Sequence, residues 1–309
     1  MAACRRPSRA ARLTMMPAIA LLASCILLAV FAASHFARRS AAVIAAICFL
    51  TMPLVWQAAS GSAPQIVLVP AMLASLICFD RYRQKTGELW LGLAGAFAAA
   101  MMYLHLAGML IAPAYASLVA VGLLMRADRA RSLAVFAIGL AVLAVPLVVI
   151  NALDSARFTA AVNAYGLYDA TRLNPLQGVR DMSSWVGLTV RSEVYWDYFS
   201  PALWFLGRGG LIDSVVGSRV FVLPLAIPFV RGLLAYIVYP RDLMDWVVLA
   251  AFLAAPAATA ALGQPPTAPR LIVVAPLVAI IATRGCYPGA LRMTAAASPS
   301  APAMAATSR

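Results

Sequence analysis

Apolar runs of about membrane-spanning length, separated by short polar breaks, dominate the chain. A helix needs roughly 20 apolar residues to cross a bilayer. On that measure nine segments stand out, at about 14–36, 41–57, 64–80, 87–104, 106–125, 132–153, 218–238, 243–262 and 268–284. Two of them share one stretch from Leu89 to Met125 that holds no Asp, Glu, Lys or Arg and a single histidine, His105. That stretch is too long for one crossing, so the pattern predicts a hairpin turning near His105 and Gly108. Between the sixth and seventh segments lies a polar interval, residues 154–217. There Val179, Met182, Val186, Val190 and Val194 recur every three or four positions, which predicts an amphipathic helix over 176–198. Glu193 and Asp197, four apart, share a different face of it.

Composition sharpens the class. Hydrophobic residues make up 63% of the 309 and charged residues only 11%, against roughly 45–50% and about 25% in soluble domains. The expected fold is an all-α integral membrane protein: a polytopic bundle of about nine transmembrane helices with one long external loop carrying interfacial helices. The net charge of +13 comes almost entirely from arginine, since Lys85 is the one lysine. Arginine in short loops follows from membrane insertion and does not call for nucleic acid. The motif LASC at 22–25 resembles a lipoprotein cleavage box, but the apolar run continues past it, as a spanning helix does. Cys25, Cys48 and Cys78 lie inside apolar runs, and no Cys/His spacing suggests a metal.

Orientation follows from the short loops. One alternating set holds Arg38, Arg39, Arg81, Arg83, Lys85, Arg126, Arg129, Arg131, Arg231 and Arg241; the opposite set holds only Arg270. The first set is expected inside. Residues 154–217 are then an external loop, and the C-terminal tail is cytoplasmic. Nine crossings also place Arg5, Arg6, Arg9 and Arg12 outside, against the same rule. The expected organisation is a juxtamembrane segment 1–13, a six-helix region 14–153, the loop 154–217, a three-helix region 218–284, and a disordered tail 285–309.

Candidate chemistry gathers in the loop, which holds six acids (Asp154, Asp169, Asp181, Glu193, Asp197 and Asp213) together with Arg157, Arg172, Arg180, Arg191 and Arg208. It is also rich in aromatics, among them Trp185, Tyr195, Trp196, Tyr198 and Trp204. One reading is a site for a polar substrate at the membrane surface, with aromatics on sugar rings and arginines on phosphate. The other is an interfacial helix whose Trp and Tyr sit at headgroup depth. His105 at the external turn and Arg270 at the start of the last segment join the candidates, because polar groups at membrane depth are costly. The apolar segments themselves read as carrying few buried charges.

Several stretches resemble polytopic glycosyltransferases of superfamily C, and more narrowly the bacterial relatives of protein O-mannosyltransferases and aminoarabinose transferases. RLTMMPAIALLASCILLAVFAASHFARRSAAVIAAICFLTMPLVWQAA is similar to the family's second and third helices, with Arg12, Arg38, Arg39 and Pro53 at matching places. LWLGLAGAFAAAMMYLHLAGMLIAP resembles a later signature through Tyr103, His105 and Pro113. YWDYFSPALWFLGRGG is similar to an external stretch, and GQPPTAPRLIVVAPLVAIIATRG to a last helix, through Arg270 and Pro276.

The resemblance implies a membrane glycosyltransferase, or an N-terminally shortened form of one, in the bacterial inner membrane. It would move a sugar from a polyprenyl-phosphate carrier to an envelope acceptor. Its partners would be that lipid-linked donor and membrane lipids, with no nucleic acid. His105, Arg191, Tyr198, Trp204, Arg208 and Arg270 become candidates for substrate binding. The family also implies an acid between its first two helices, acting as base or as a ligand to a divalent metal. Here no Asp or Glu precedes Asp80, so that role passes to no residue of this chain. The leading expectation is that the first helix and its acidic loop lie upstream of Met1. The others are a non-catalytic relative, or substitution by a loop acid, with Glu193 and Asp197 as candidates. Outside the family, a small-solute transporter, a lipid flippase or a non-catalytic partner of a transferase accounts for the same architecture.

Overall fold

The structure, a computed structural model, describes residues 9–59, 64–85, 87–105, 107–125, 128–154, 184–200, 202–206, 221–240, 242–256, 260 and 268–287. Expected features at residues 1–8, 155–183, 207–220 and 288–309 lie outside the described residues, Val179, Met182, Arg208 and the small-residue tail among them. So do the side chains of Arg12 and Arg270.

The protein is helical, with no strand among the described residues. In chain order the helices are α1 (Arg9–His35), α2 (Arg39–Leu50), α3 (Pro53–Gln57), α4 (Leu68–Lys85), α5 (Glu88–Leu104), α6 (Gly108–Leu124) and α7 (Arg129–Leu153). After these come α8 (Trp185–Asp197), α9 (Ala226–Val238), α10 (Leu243–Ala254) and α11 (Ala275–Gly285). Met16–His35, Gln65–Gln84 and Arg129–Leu153 are long and apolar enough to cross a membrane, and six further apolar helices are shorter.

Prolines account for most differences from the expected segments. The run 41–57 is not one helix: it ends at Leu50 and restarts at Pro53. A proline disfavours the helical conformation of the residue before it, and Met52 is extended, with φ −77° and ψ 122°. The last segment begins as a 3₁₀ turn, Ala268–Val273, and becomes α-helical only at Ala275, with Pro276 in its first turn. In the run 243–262 a helix covers Leu243–Ala254 and is followed by a turn at Ala255 and Pro256. The hairpin turn falls between Leu104 and Gly108. Helix α1 closes through Ala37 in the left-handed region, φ 51°, a common way to end a helix although glycine is the usual occupant.

Helix α11 is the centre, with every residue buried. It packs on α2 and α9, while α1, α2 and α4 pack together and α4 leads through α5 to α6 and α7. Helix α7 lies at the edge; only Ser132 and Phe136 are buried, and Ile138, Val142, Val145 and Val149 are exposed. In water that face would be costly, but lipid chains are as apolar as the side chains they touch. What holds α7 is backbone approach: a Cβ on Gly139 would collide with the carbonyl of Gly92, and one on Gly95 with that of Phe136. Such small-residue seams are a usual basis of helix association in membranes.

The ends of the bundle are distinct. Arg83 near the end of α4 pairs with Asp242 at the start of α10, and Tyr82 meets Asp128 and Ser132 at the start of α7. The breaks that carry basic residues therefore lie at one end, which we call the basic end. The α5–α6 turn and the end of α10 lie at the other. Substituting Gly139→Ala forces α5 and α7 apart, with an expected loss of about 1–3 kcal/mol, typical of overpacking. Thermal unfolding of the purified variant in detergent checks this.

Candidate functional site

At the end opposite the basic breaks, helix α8 holds the candidates Arg191, Glu193 and Asp197, with Tyr198 at its C-cap. Ser184 caps it, its Oγ accepting from the Gly187 N–H at 3.1 Å. The face it turns inward takes up only part of the periodic valine series. Val186 and Val190 are exposed, at 72% and 48%, whereas Gly187, Arg191, Val194, Tyr195 and Tyr198 turn inward. Hydrophobic spacing misidentifies the packed face when lipid, too, accepts apolar side chains. Tyr195 Oη donates to the Leu253 carbonyl at 2.9 Å, which ties α8 to the end of α10.

Tyr198 and Trp204 are packing residues in this arrangement, at 0% and 4% exposure. Trp204 Nε1 donates to the Tyr198 carbonyl at 2.5 Å. Its ring meets Phe221, Phe229 and Phe252 edge-on, with centroids 5.3–5.7 Å apart. Neither side chain faces open space. The outward face of α8 does: Trp185, Leu188, Thr189, Ser192, Glu193 and Trp196 line an open cleft of about 570 Å³. Positions 185, 189, 192 or 193 and 196 recur with the helical period, so two indoles flank one carboxylate and two hydroxyls. Asp197 is half-buried beside them, and Arg191 donates back to the Gly187 carbonyl at 3.0 Å.

His105 is on the α5–α6 turn, half-buried. The Ala107 N–H donates to its Nδ1 at 3.1 Å, which requires a lone pair there and so a neutral ring protonated on Nε2. Burial lowers its pKa below the ordinary 6.5, in agreement with that bond. It can therefore offer a phosphate a hydrogen bond, not a positive charge. Arg270 belongs to the 3₁₀ turn before α11.

Sequence reasoning missed a second constellation, near the basic end. The apolar segments are not poor in buried charge: Asp80, Asp245 and Arg284 are at most 1% exposed, and the His35 side chain is 3% exposed. Asp245 is held from two sides, by Arg284 Nη1 at 2.5 Å on Oδ2 and by His35 Nε2 at 3.2 Å on Oδ1. Arg284 also donates to the Tyr239 carbonyl and lies over the Tyr236 ring, 4.4 Å from its centroid. Nearby, Asp80 accepts from Ser34 at 2.7 Å, Gln84 at 2.8 Å and Arg83 at 3.1 Å. Arg83 continues to Asp242 at 2.6 Å. Asp242 caps α10 by accepting from the Met244 and Asp245 N–H groups.

Four helices are thus joined to α10 through one polar seam: α1, α4, α9 and α11. Each of its residues stands near a helix end, where a charge reads as belonging to a loop. Its bonded partners lie up to 210 positions apart (35 against 245), so no local spacing reveals them. Among the described residues no three His, Cys, Asp or Glu side chains converge as a metal site. No family model, curated protein or solved structure matches the chain.

Two outcomes follow. Arg284→Met leaves Asp245 buried without its guanidinium and is expected to cost about 3–5 kcal/mol, while Arg284→Met with Asp245→Leu recovers most of it, as apolar replacement of a buried pair often does. Chemical unfolding of both variants tests this. For His105 the folded pKa lies below the unfolded one, so its contribution is complete above about 6.5 and is lost as pH falls from there through the folded value. Unfolding curves from about pH 7.5 to 5 should show that loss, and His105→Gln should abolish this component.

Proposed function

We propose that the chain is a multi-pass inner-membrane glycosyltransferase, or the larger part of one, that uses a polyprenyl-phosphate sugar, with α8 on the external face and the C-terminus in the cytoplasm. The observation that carries this reading is the α8 cleft, in which Trp185 and Trp196 bracket Glu193, Ser192 and Thr189. Indole faces suit the apolar faces of sugar rings, and carboxylate and hydroxyl groups suit their hydroxyls. An exposed carboxylate in that position can take the proton from an attacking acceptor hydroxyl. In this reading Glu193 is the base and Asp197 its neighbour, while His105, Arg208 and Arg270 bind the donor. In this reading the chain crosses nine times, and the arginines of the short breaks favour the cleft outside.

The buried seam favours a second reading, a small-solute transporter or lipid flippase, because ionisable groups at membrane depth commonly mark a transport path. The test that separates the two uses purified full-length protein in nanodiscs and liposomes. Sugar transfer from a polyprenyl-phosphate donor is expected to fall by at least about 10²-fold in Glu193→Gln, the scale of general-base catalysis. Transfer that is unchanged in Glu193→Gln removes the assigned base. Solute uptake or lipid translocation without sugar transfer selects the second reading.

A further inference from the structure

Helices α6 and α10 pack together but leave an open slot of about 410 Å³ between them. Leu118, Gly122 and Met125 stand on one wall, and Leu243, Trp246 and Ala250 on the other. Both helices reach the basic end there, α6 with Met125 and α10 with Leu243. Seven residues along each wall give the slot a length of about 10 Å, running from that end into the apolar depth of the bundle. Gly122 keeps it open: a Cβ there would press on Leu243 Cδ1 at 3.3 Å.

The side chains of the two walls are apolar, so whatever lies in the slot is apolar too. The mouth is different. Trp246, 49% exposed, stands in the first turn of α10, where a tryptophan marks headgroup depth. Four residues beyond Met125, Arg129 opens α7, exposed and joined to no acid among the described residues. The nearby acids are engaged within the fold. Asp242 holds Arg83 and the first N–H groups of α10, and Asp128 holds Tyr82 and Ser132. An apolar tail with a negative head therefore matches the slot. A second copy of the chain matches it poorly. A symmetric dimer brings the same surface of each copy together, and here that gathers two uncompensated guanidiniums at one interface.

We propose that the α6–α10 slot binds an anionic phospholipid: one acyl chain lies between Gly122 and Ala250, Trp246 stands beside the headgroup, and Arg129 holds the phosphate. The breaks at this end are rich in arginine and draw anionic lipids to the surface; the slot then selects one of them. Bound there, the lipid completes the contact between α6 and α10. The inference rests on neither reading of the α8 cleft and is the same whichever leaflet the basic end faces.

Photocrosslinking of full-length protein in nanodiscs tests this, with a diazirine on the acyl chain of phosphatidylglycerol or of phosphatidylcholine. Peptides carrying 118–125 and 243–250 are expected to take up the phosphatidylglycerol probe at least about fivefold more than the phosphatidylcholine probe, the weight of one arginine near an anionic surface. The two probes should label the exposed face of α7 from Val142 to Val149 equally. Arg129→Gln should lower the preference in the slot about fivefold. Gly122→Leu should abolish slot labelling by either probe and leave that on α7; if it does not fold, Ala250→Leu fills the slot from the other wall. Slot labelling that is equal for the two probes, no denser than on α7, or unchanged in Arg129→Gln overturns the proposal. So does a dimer, seen by native mass spectrometry, that either slot-filling variant dissolves.

Discussion

Asp245 is the constraint on which the packing near the basic end depends. A carboxylate at 1% exposure is tolerated because both of its oxygens are occupied, one by Arg284 and one by His35. Those partners belong to the last and the first of the described helices. Burial thus converts a local electrostatic demand into a long-range one: the chain must bring positions 35, 245 and 284 together or leave a charge in a medium that cannot solvate it. Lipid provides little hydrophobic drive for helices to associate. Polar bonds and close backbone contact take its place, the first in this seam and the second where Gly139 meets Gly92.

The opposite end is built on another principle. There Trp204, Phe221, Phe229 and Phe252 interlock edge-to-face, and α8 lies against them through Tyr195 and Tyr198. Aromatic packing of this kind is rigid and indifferent to charge, which suits a platform whose outer face carries Glu193 between two indoles. One helix face is given to the fold and the other to the surroundings, so substitutions in the cleft should disturb the bundle little.

Much of the helical architecture is legible in the sequence, because the length of an apolar run is a local property. The hairpin at His105 and the helical content follow from composition and turn signals. The breaks at Pro53 and before Pro276 were equally local, but a reading by apolar length passes over them. The inward face of α8 is not legible from spacing for a physical reason: Val186 and Val190 are apolar without being packed, and spacing cannot tell lipid from protein. The seam was illegible for another. Asp242 looks like a helix cap, which it is, and Arg284 like a loop cation, which it is not; only the fold reveals the difference. Tyr198 and Trp204 show the converse, since their abundance in an external loop suggested exposure and their environment is a core.

Helix α10 touches both ends. Asp245 stands in its first turn and Leu253, whose carbonyl receives the Tyr195 hydroxyl, in its last. Eight residues at about 1.5 Å each separate them by about 12 Å. An α-helix keeps its length, so α10 sets a fixed spacing between the carboxylate that gathers α1 and α11 and the anchor of α8.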